Sequence, residues 1–279
     1  MSHRAAVIEP VTVRSAPRLS AGLISLLILA LALPAIPFFF TINSYVLNIF
    51  MQAVTYGIAV LGMTVVLGYT GQINLAQAAF FGLGAYAVAL GTVVLGLNFW
   101  VSLLLGIAVA AIAGLVLGLT TLRLGGHYLA MITISFQQIF DLVLVNWTAV
   151  TRGPDGVSGI ARPSLFGFQL TDDKVYLVFC VAVLYAAILL VWYLPNTRLG
   201  RAMRAVRENE LAAEVTGVQT LAVKVIAFVL CAGLAGVGGA LYAAGFAYVS
   251  PDNFTTGACR CHASTPAWRR GFLQSEHSF

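Results

Sequence analysis

Seven apolar runs, at approximately 19–40, 45–67, 76–97, 99–119, 128–147, 175–194 and 221–248, recur along the chain with few charges inside them. Each can cross roughly 30 Å of hydrocarbon as a helix rising about 1.5 Å per residue. Lipid gives a bare backbone nothing to hydrogen-bond, so only helices and closed barrels span it. A barrel would read as alternating segments of about ten residues, whereas these runs are continuous. With 60% of residues hydrophobic and 9% charged, the chain reads as an all-α polytopic membrane protein of about seven transmembrane helices.

Residues 1–18 are polar and carry Arg4, Arg14 and Arg18, which suits a cytoplasmic N-terminal arm. In the run that follows, Ala30 to Ala32 mimics a signal-peptidase site, so a cleaved signal is one alternative. Because the run continues to Phe40 and a second span follows at once, a first helix kinked near Pro34 and Pro37 is the preferred reading. With the N-terminus inside, nine Arg and Lys residues outside the tail fall on the cytoplasmic side, and only Arg152, Arg162 and Lys174 fall outside. This asymmetry sets the orientation in a cytoplasmic membrane. The formal charge of +5 therefore reads as topology, and no basic aromatic surface points to nucleic acid.

Catalysis finds little support. The two lysines, Lys174 and Lys224, sit in no phosphate-binding loop. His3, His127, His262 and His277 are dispersed, and Cys259-Arg260-Cys261-His262 lacks a second ligand pair, so no metal site is expected. Cys180 and Cys231 lie inside apolar runs, and no disulfide framework follows. The expectation is a non-enzyme without a cofactor.

Three stretches break the apolar monotony. "GYTGQINLAQAAFFGLGAYAVAL", Gly68 to Leu90, opens with Gln72, Asn74 and Gln77 and then presents Ala78, Gly82, Ala85 and Ala89 on one smooth face suited to helix packing. Its polar start is either an ordinary cytoplasmic turn or a broken segment beside a solute path. The fifth span carries Thr133, Gln137 and Asp141 at four-residue spacing. An intramembrane Asp should face the bundle or water, as interhelical glue or as part of the path. "GLAGVGGALYAAG", Gly233 to Gly245, supplies Gly236 and Gly239 for close helix approach.

Two connections are long. The outer one, 148–174, is rich in Gly, Pro and Asp and predicts turns. The inner one, 195–220, places Leu199, Ala202, Met203 and Val206 at helical spacing with Arg201, Arg204, Arg207 and Glu208 around them. That pattern predicts one amphipathic helix at the cytoplasmic face.

These segments together resemble a known family, the inner-membrane permease subunits of branched-chain amino acid ABC importers. "GYTGQINLAQAAFFGLGAY" is similar to the family's Gly-Tyr-x-Gly-Gln block, although Ala76 and Gln77 stand where the family commonly shows Gly-His. "GGHYLAMITISFQQI", "NWTAVTRGPDGVSGI", "YVSPDNF" and above all "GRAMRAVRENELAAEVTGV" extend the likeness over most of residues 20–254. The resemblance implies a coupling helix that docks in a groove of a separate ABC ATPase subunit. Ala212, Ala213 and Gly217 keep the Ala-Ala-x-x-x-Gly spacing of that helix, while Leu211 stands where a Glu would be and Glu210 precedes it. A helix held at the membrane surface by anionic lipid is the alternative.

The resemblance further implies a second permease subunit, an external solute-binding protein and a prokaryotic inner-membrane location. Leucine, isoleucine and valine are the expected cargo, and urea or short amides are the alternative. A proton- or ion-coupled transporter is the rival class, with Asp141 as its thin support. Residues 255–279 break from the family pattern and read as a polar, disordered tail of a truncated or frame-shifted chain that transports poorly.

Overall fold

The structure, a computed structural model, describes residues 44–121, 126–160, 162–165, 168–169 and 172–254. The chain divides into two compact units, Met1–Thr41 and Ile42–Phe279, and the first lies outside the described residues. So do the expected arm at 1–18, the expected span at 19–40 and the tail at 255–279.

Helix α1, Ser44–Met63, runs on into a π-helix, Thr64–Thr70. An irregular stretch then leads to α2, Gln77–Val93, followed by α3, Phe99–Thr121, and α4, Gly126–Asn146. A short α5, Thr148–Thr151, opens the first long connection, which carries β1, Val157–Ser158, and the hairpin of β2, Ser164–Leu165, with β3, Phe168–Gln169. Helix α6, Asp173–Tyr193, leads to the second connection, which holds α7, Arg198–Glu208, and α8, Glu210–Val215. Helix α9, Thr220–Phe246, is followed by β4, Tyr248–Val249, and a 3-10 turn at Pro251–Asn253.

Among the described residues five helical stretches are long and apolar enough to cross a membrane: Ser44–Thr70, Phe99–Thr120, Tyr128–Asn146, Asp173–Asn196 and Thr220–Phe246. The expected span at 76–97 is helical only over the 17 residues Gln77–Val93, because Gly96 turns the chain at φ 61° before Phe99 starts the next helix.

Helix α9 is the axis of the bundle and packs on α1, α2 and α3. Its small residues make that possible. A Cβ on Gly239 would stand 1.9 Å from the Phe81 carbonyl oxygen, and one on Gly84 of α2 would stand 2.2 Å from that of Gly236. Helices meet there backbone to backbone, which replaces the hydrophobic drive that lipid cannot supply. The bundle's outer surface shows Leu104, Ile112, Val116, Ile139 and Leu142, as expected where the surrounding solvent is hydrocarbon.

The two ends are tied by different means. At one end β1 pairs antiparallel with β4, Val157 opposite Val249 and Ser158 opposite Tyr248. There Arg162 forms an ion pair with Asp173 at 2.7 Å and donates to the Gly245 carbonyl at 3.4 Å. At the other end the guanidinium of Arg207 donates to the Gly68 carbonyl, a cation set at a helix C-terminus where the macrodipole is negative. Gly71 closes that π-helix at φ 70°, with Arg207 Cγ 3.2 Å from where a Cβ would lie.

Candidate functional site

The polar stretch after the π-helix threads between α1, α4 and α9. Asn74, 1% exposed, accepts from the Ala76 amide at 3.0 Å and reaches the Cys231 sulfur at 3.5 Å. Gln77 donates to the Ala59 carbonyl at 2.6 Å and accepts from the Cys231 thiol at 2.9 Å. The Leu75 amide donates to Thr133 Oγ1 at 3.2 Å, and that hydroxyl donates on to the Ala130 carbonyl at 2.9 Å. The segment is thus irregular and half-buried: Asn74 and Ala76 lie inside protein while Ile73 and Leu75 are exposed, and the Leu75 and Ala76 amides find side-chain partners that lipid would deny them. Gln72 Oε1 is buried without one.

On α4 the stripe of Thr133 and Gln137 faces the bundle, since both are buried while Ile139 and Leu142 face out. Gln137 Nε2 is shared between Asp141 Oδ1 at 3.1 Å and the Phe254 carbonyl at 3.2 Å. Its Oε1 has no partner. Phe254 is itself buried, its ring 5.8 Å from that of Phe81, 5.9 Å from Tyr86 and 6.3 Å from Tyr242, centroid to centroid. Gly82 leaves room for this arrangement, because a Cβ there would lie 2.7 Å from Phe140 Cε1 and 3.3 Å from Phe254 Cγ. The residues singled out from sequence therefore fall into two clusters joined along α4: Asn74, Gln77 and Thr133 in one, Gln137 and Asp141 in the other.

Sequence reasoning missed Cys231, Tyr86 and Phe254 as members of these clusters. Their partners lie far away in the chain, and no local pattern marks them.

The extramembrane helices differ from the single amphipathic helix expected. They are two, broken at Asn209, whose backbone is extended and whose side chain accepts from the Ala212 amide at 3.1 Å. An Asn at this position competes for the backbone and starts a new helix as its N-cap. Thr197 caps α7 in the same way through the Gly200 amide at 3.1 Å. Met203, Val206 and Ala213 are buried, whereas Leu199 is exposed. Arg201 donates to the Asn196 carbonyl at 2.9 Å and Arg204 to that of Pro195 at 2.6 Å, so both brace α7 against its own lead-in. Glu210 pairs with Lys224 of α9, Thr220 donates to Glu214 at 2.8 Å, and Gly217 ends the turn at φ 85°. The outward face of α8 is mixed: Leu211 is 75% exposed and Val215 is 89% exposed, with Glu210, Ala212 and Glu214 exposed beside them. Beside them an open groove of about 500 Å³ is lined by Glu214, Val218, Gln219 and Thr220 among others.

No group of three His, Cys, Asp or Glu side chains able to hold a metal occurs among the described residues. Apolar helices long enough to span a bilayer, packed around a few buried polar side chains, define a multi-pass membrane protein.

The family described as branched-chain amino acid transport system / permease component matches residues 45–259, and the chain belongs to it. It is 35% identical over 256 residues to the high-affinity branched-chain amino acid transport system permease protein LivM of Escherichia coli K12, covering 84% of this chain and 59% of that protein. The chain thus spans about three fifths of that relative's length. It is also 31% identical to the ribose import permease protein RbsC of Escherichia coli K12, over 82% of this chain and 70% of RbsC. To the permease protein LivH of Salmonella typhimurium it is 26% identical, over 71% and 69% respectively. No solved structure matches.

Proposed function

We propose that the chain is a transmembrane subunit of an ATP-driven importer that moves branched-chain amino acids across the cytoplasmic membrane, with its N-terminus inside. ATP hydrolysis belongs to separate ABC ATPase subunits, and the pathway is shared with a second permease subunit fed by an external solute-binding protein. The observation that carries the reading is the α7–α8 pair. An extramembrane helix that exposes Leu211 and Val215, and is pinned to the start of α9 through Glu210 and Lys224, suits insertion into a partner's groove. Ala212 and Gly217 belong to that docking surface, the buried Ala213 supports it from beneath, and Glu208 with the braced Arg201, Arg204 and Arg207 shapes its rim.

The solute path runs beside Gln72, Asn74, Gln77, Thr133, Gln137 and Asp141. The buried Oε1 atoms of Gln72 and Gln137, which lack a protein partner, support it, because a zwitterion leaving water needs such groups. Urea or a short amide is the alternative cargo, and the likeness to a ribose import permease adds a pentose as another.

Proteoliposomes containing the chain with its companion permease and ATPase subunits discriminate these readings. Uptake of labelled leucine that needs internal ATP and survives collapse of ion gradients supports the proposal. Uptake of ribose or urea in its place overturns the cargo, and uptake driven by a proton gradient overturns the class.

A further inference from the structure

The geometry points to a binding site for a small zwitterion with an apolar side chain, formed by Tyr86, Gln137 and the rings of Phe81 and Tyr242, and filled in this structure by Phe254. The inference rests on the reading of the chain as an amino-acid permease and assigns the residues that hold the solute.

The first argument is what Phe254 does there. The chain leaves α9 through Ala247, a non-glycine residue in the left-handed region at φ 52°. Such a conformation persists where its surroundings hold it. They do so here: β4 pairs with β1, the Gly159 amide donates to the Ala247 carbonyl at 3.1 Å, and the Tyr248 hydroxyl donates to the Asp155 carbonyl at 3.2 Å. The returning segment delivers Phe254 into the bundle, where its carbonyl accepts from Gln137 and its ring meets three others. A carbonyl oxygen next to an apolar side chain is also what a free branched-chain amino acid offers. Phe254 is thus a surrogate ligand supplied by the chain itself.

The second argument is what Phe254 leaves unmet. Gln137 Oε1 and the Tyr86 hydroxyl are both buried without a hydrogen-bond partner, and both residues contact Phe254. Buried polar groups are normally paired. A peptide unit at Phe254 offers one carbonyl oxygen to this spot, whereas a free amino acid brings an ammonium and a second carboxylate oxygen. The ammonium donates to Gln137 Oε1, and the carboxylate accepts from the Tyr86 hydroxyl. The aliphatic side chain takes the place of the Phe254 ring against Phe81 and Tyr242. Withdrawal of Phe254 therefore both opens the site and exposes the groups that recognise the solute.

The test is equilibrium binding of labelled leucine to the full chain in lipid nanodiscs, which needs neither ATP nor partner subunits. Phe254→Ala should bind leucine at least about tenfold more tightly than the unaltered chain, and Phe254→Leu, which keeps an apolar occupant, should not. In the Phe254→Ala background, Tyr86→Phe or Gln137→Met should each weaken binding about tenfold, the scale of a lost hydrogen bond to a charged group. Should Phe254→Ala fail to fold, the rise in unfolding temperature that leucine gives the unaltered chain is measured instead, and Tyr86→Phe should abolish it. Leucine binding that stays within about twofold in both Tyr86→Phe and Gln137→Met overturns the site. Displacement of leucine by ribose or urea as readily as by isoleucine overturns the zwitterion. Loss of ATP-driven uptake with this binding intact would count against the proposed function alone.

Discussion

At the scale of single residues, Gly239 carries the tightest contact in the bundle, with no room for a methyl group between α9 and the Phe81 carbonyl. Gly239→Ala should destabilise the folded chain by about 1–3 kcal/mol, the usual cost of overpacking, and should lower the unfolding temperature in detergent. Gly233, with open space around it, is the control that tolerates Ala. The pair shows what sequence can and cannot say about small residues. Both glycines belong to one small-residue run, and the run predicts a packing helix. Only the neighbour's position says which glycine is indispensable. Likewise Gln137 was legible as an intramembrane polar residue, while its partner Phe254 lies 117 residues away and could not be inferred from spacing.

Between elements, the ion pair of Glu210 and Lys224 links the extramembrane helices to the axis of the bundle. Its Lys side chain is 11% exposed and its Glu 46%, so solvent screens it in part. A double-mutant cycle of Glu210→Ala and Lys224→Ala should give a coupling of about 0.5–1 kcal/mol in unfolding experiments. On α4, a cysteine at Leu142, which is 67% exposed on the outward face, should resist a water-soluble thiol reagent because lipid covers it. One at Asp141, on the polar stripe, should react when the path is wet, and equal reactivity would remove the distinction between the faces. The long helices were legible because apolar runs are a local property. The break at Asn209 and the π-helix after Met63 were not. The first depends on a side chain outcompeting the helix, and the second on a turn that ends under Arg207 of a distant helix.

For the whole molecule, the opposite ends of the bundle should be reached from opposite sides of the membrane. With Cys259 and Cys261 replaced by Ser, a cysteine at exposed Arg204 should label only after the membrane is opened. One at exposed Arg152 should label in intact cells, and the reverse pattern would invert the orientation. Ala213 is buried on α8, beneath the exposed Leu211 and Val215 proposed to meet the ATPase. The most direct measurement is therefore ATP-dependent leucine uptake by the reconstituted complex with and without Ala213→Asp, each confirmed to be inserted and folded. The account predicts uptake by the unaltered complex, against the poor transport expected of a truncated chain, and its loss, by about tenfold or more, in the variant, since a buried charge shifts the packing that holds the docking face in place. Equal uptake by both, or none that depends on ATP, would contradict it.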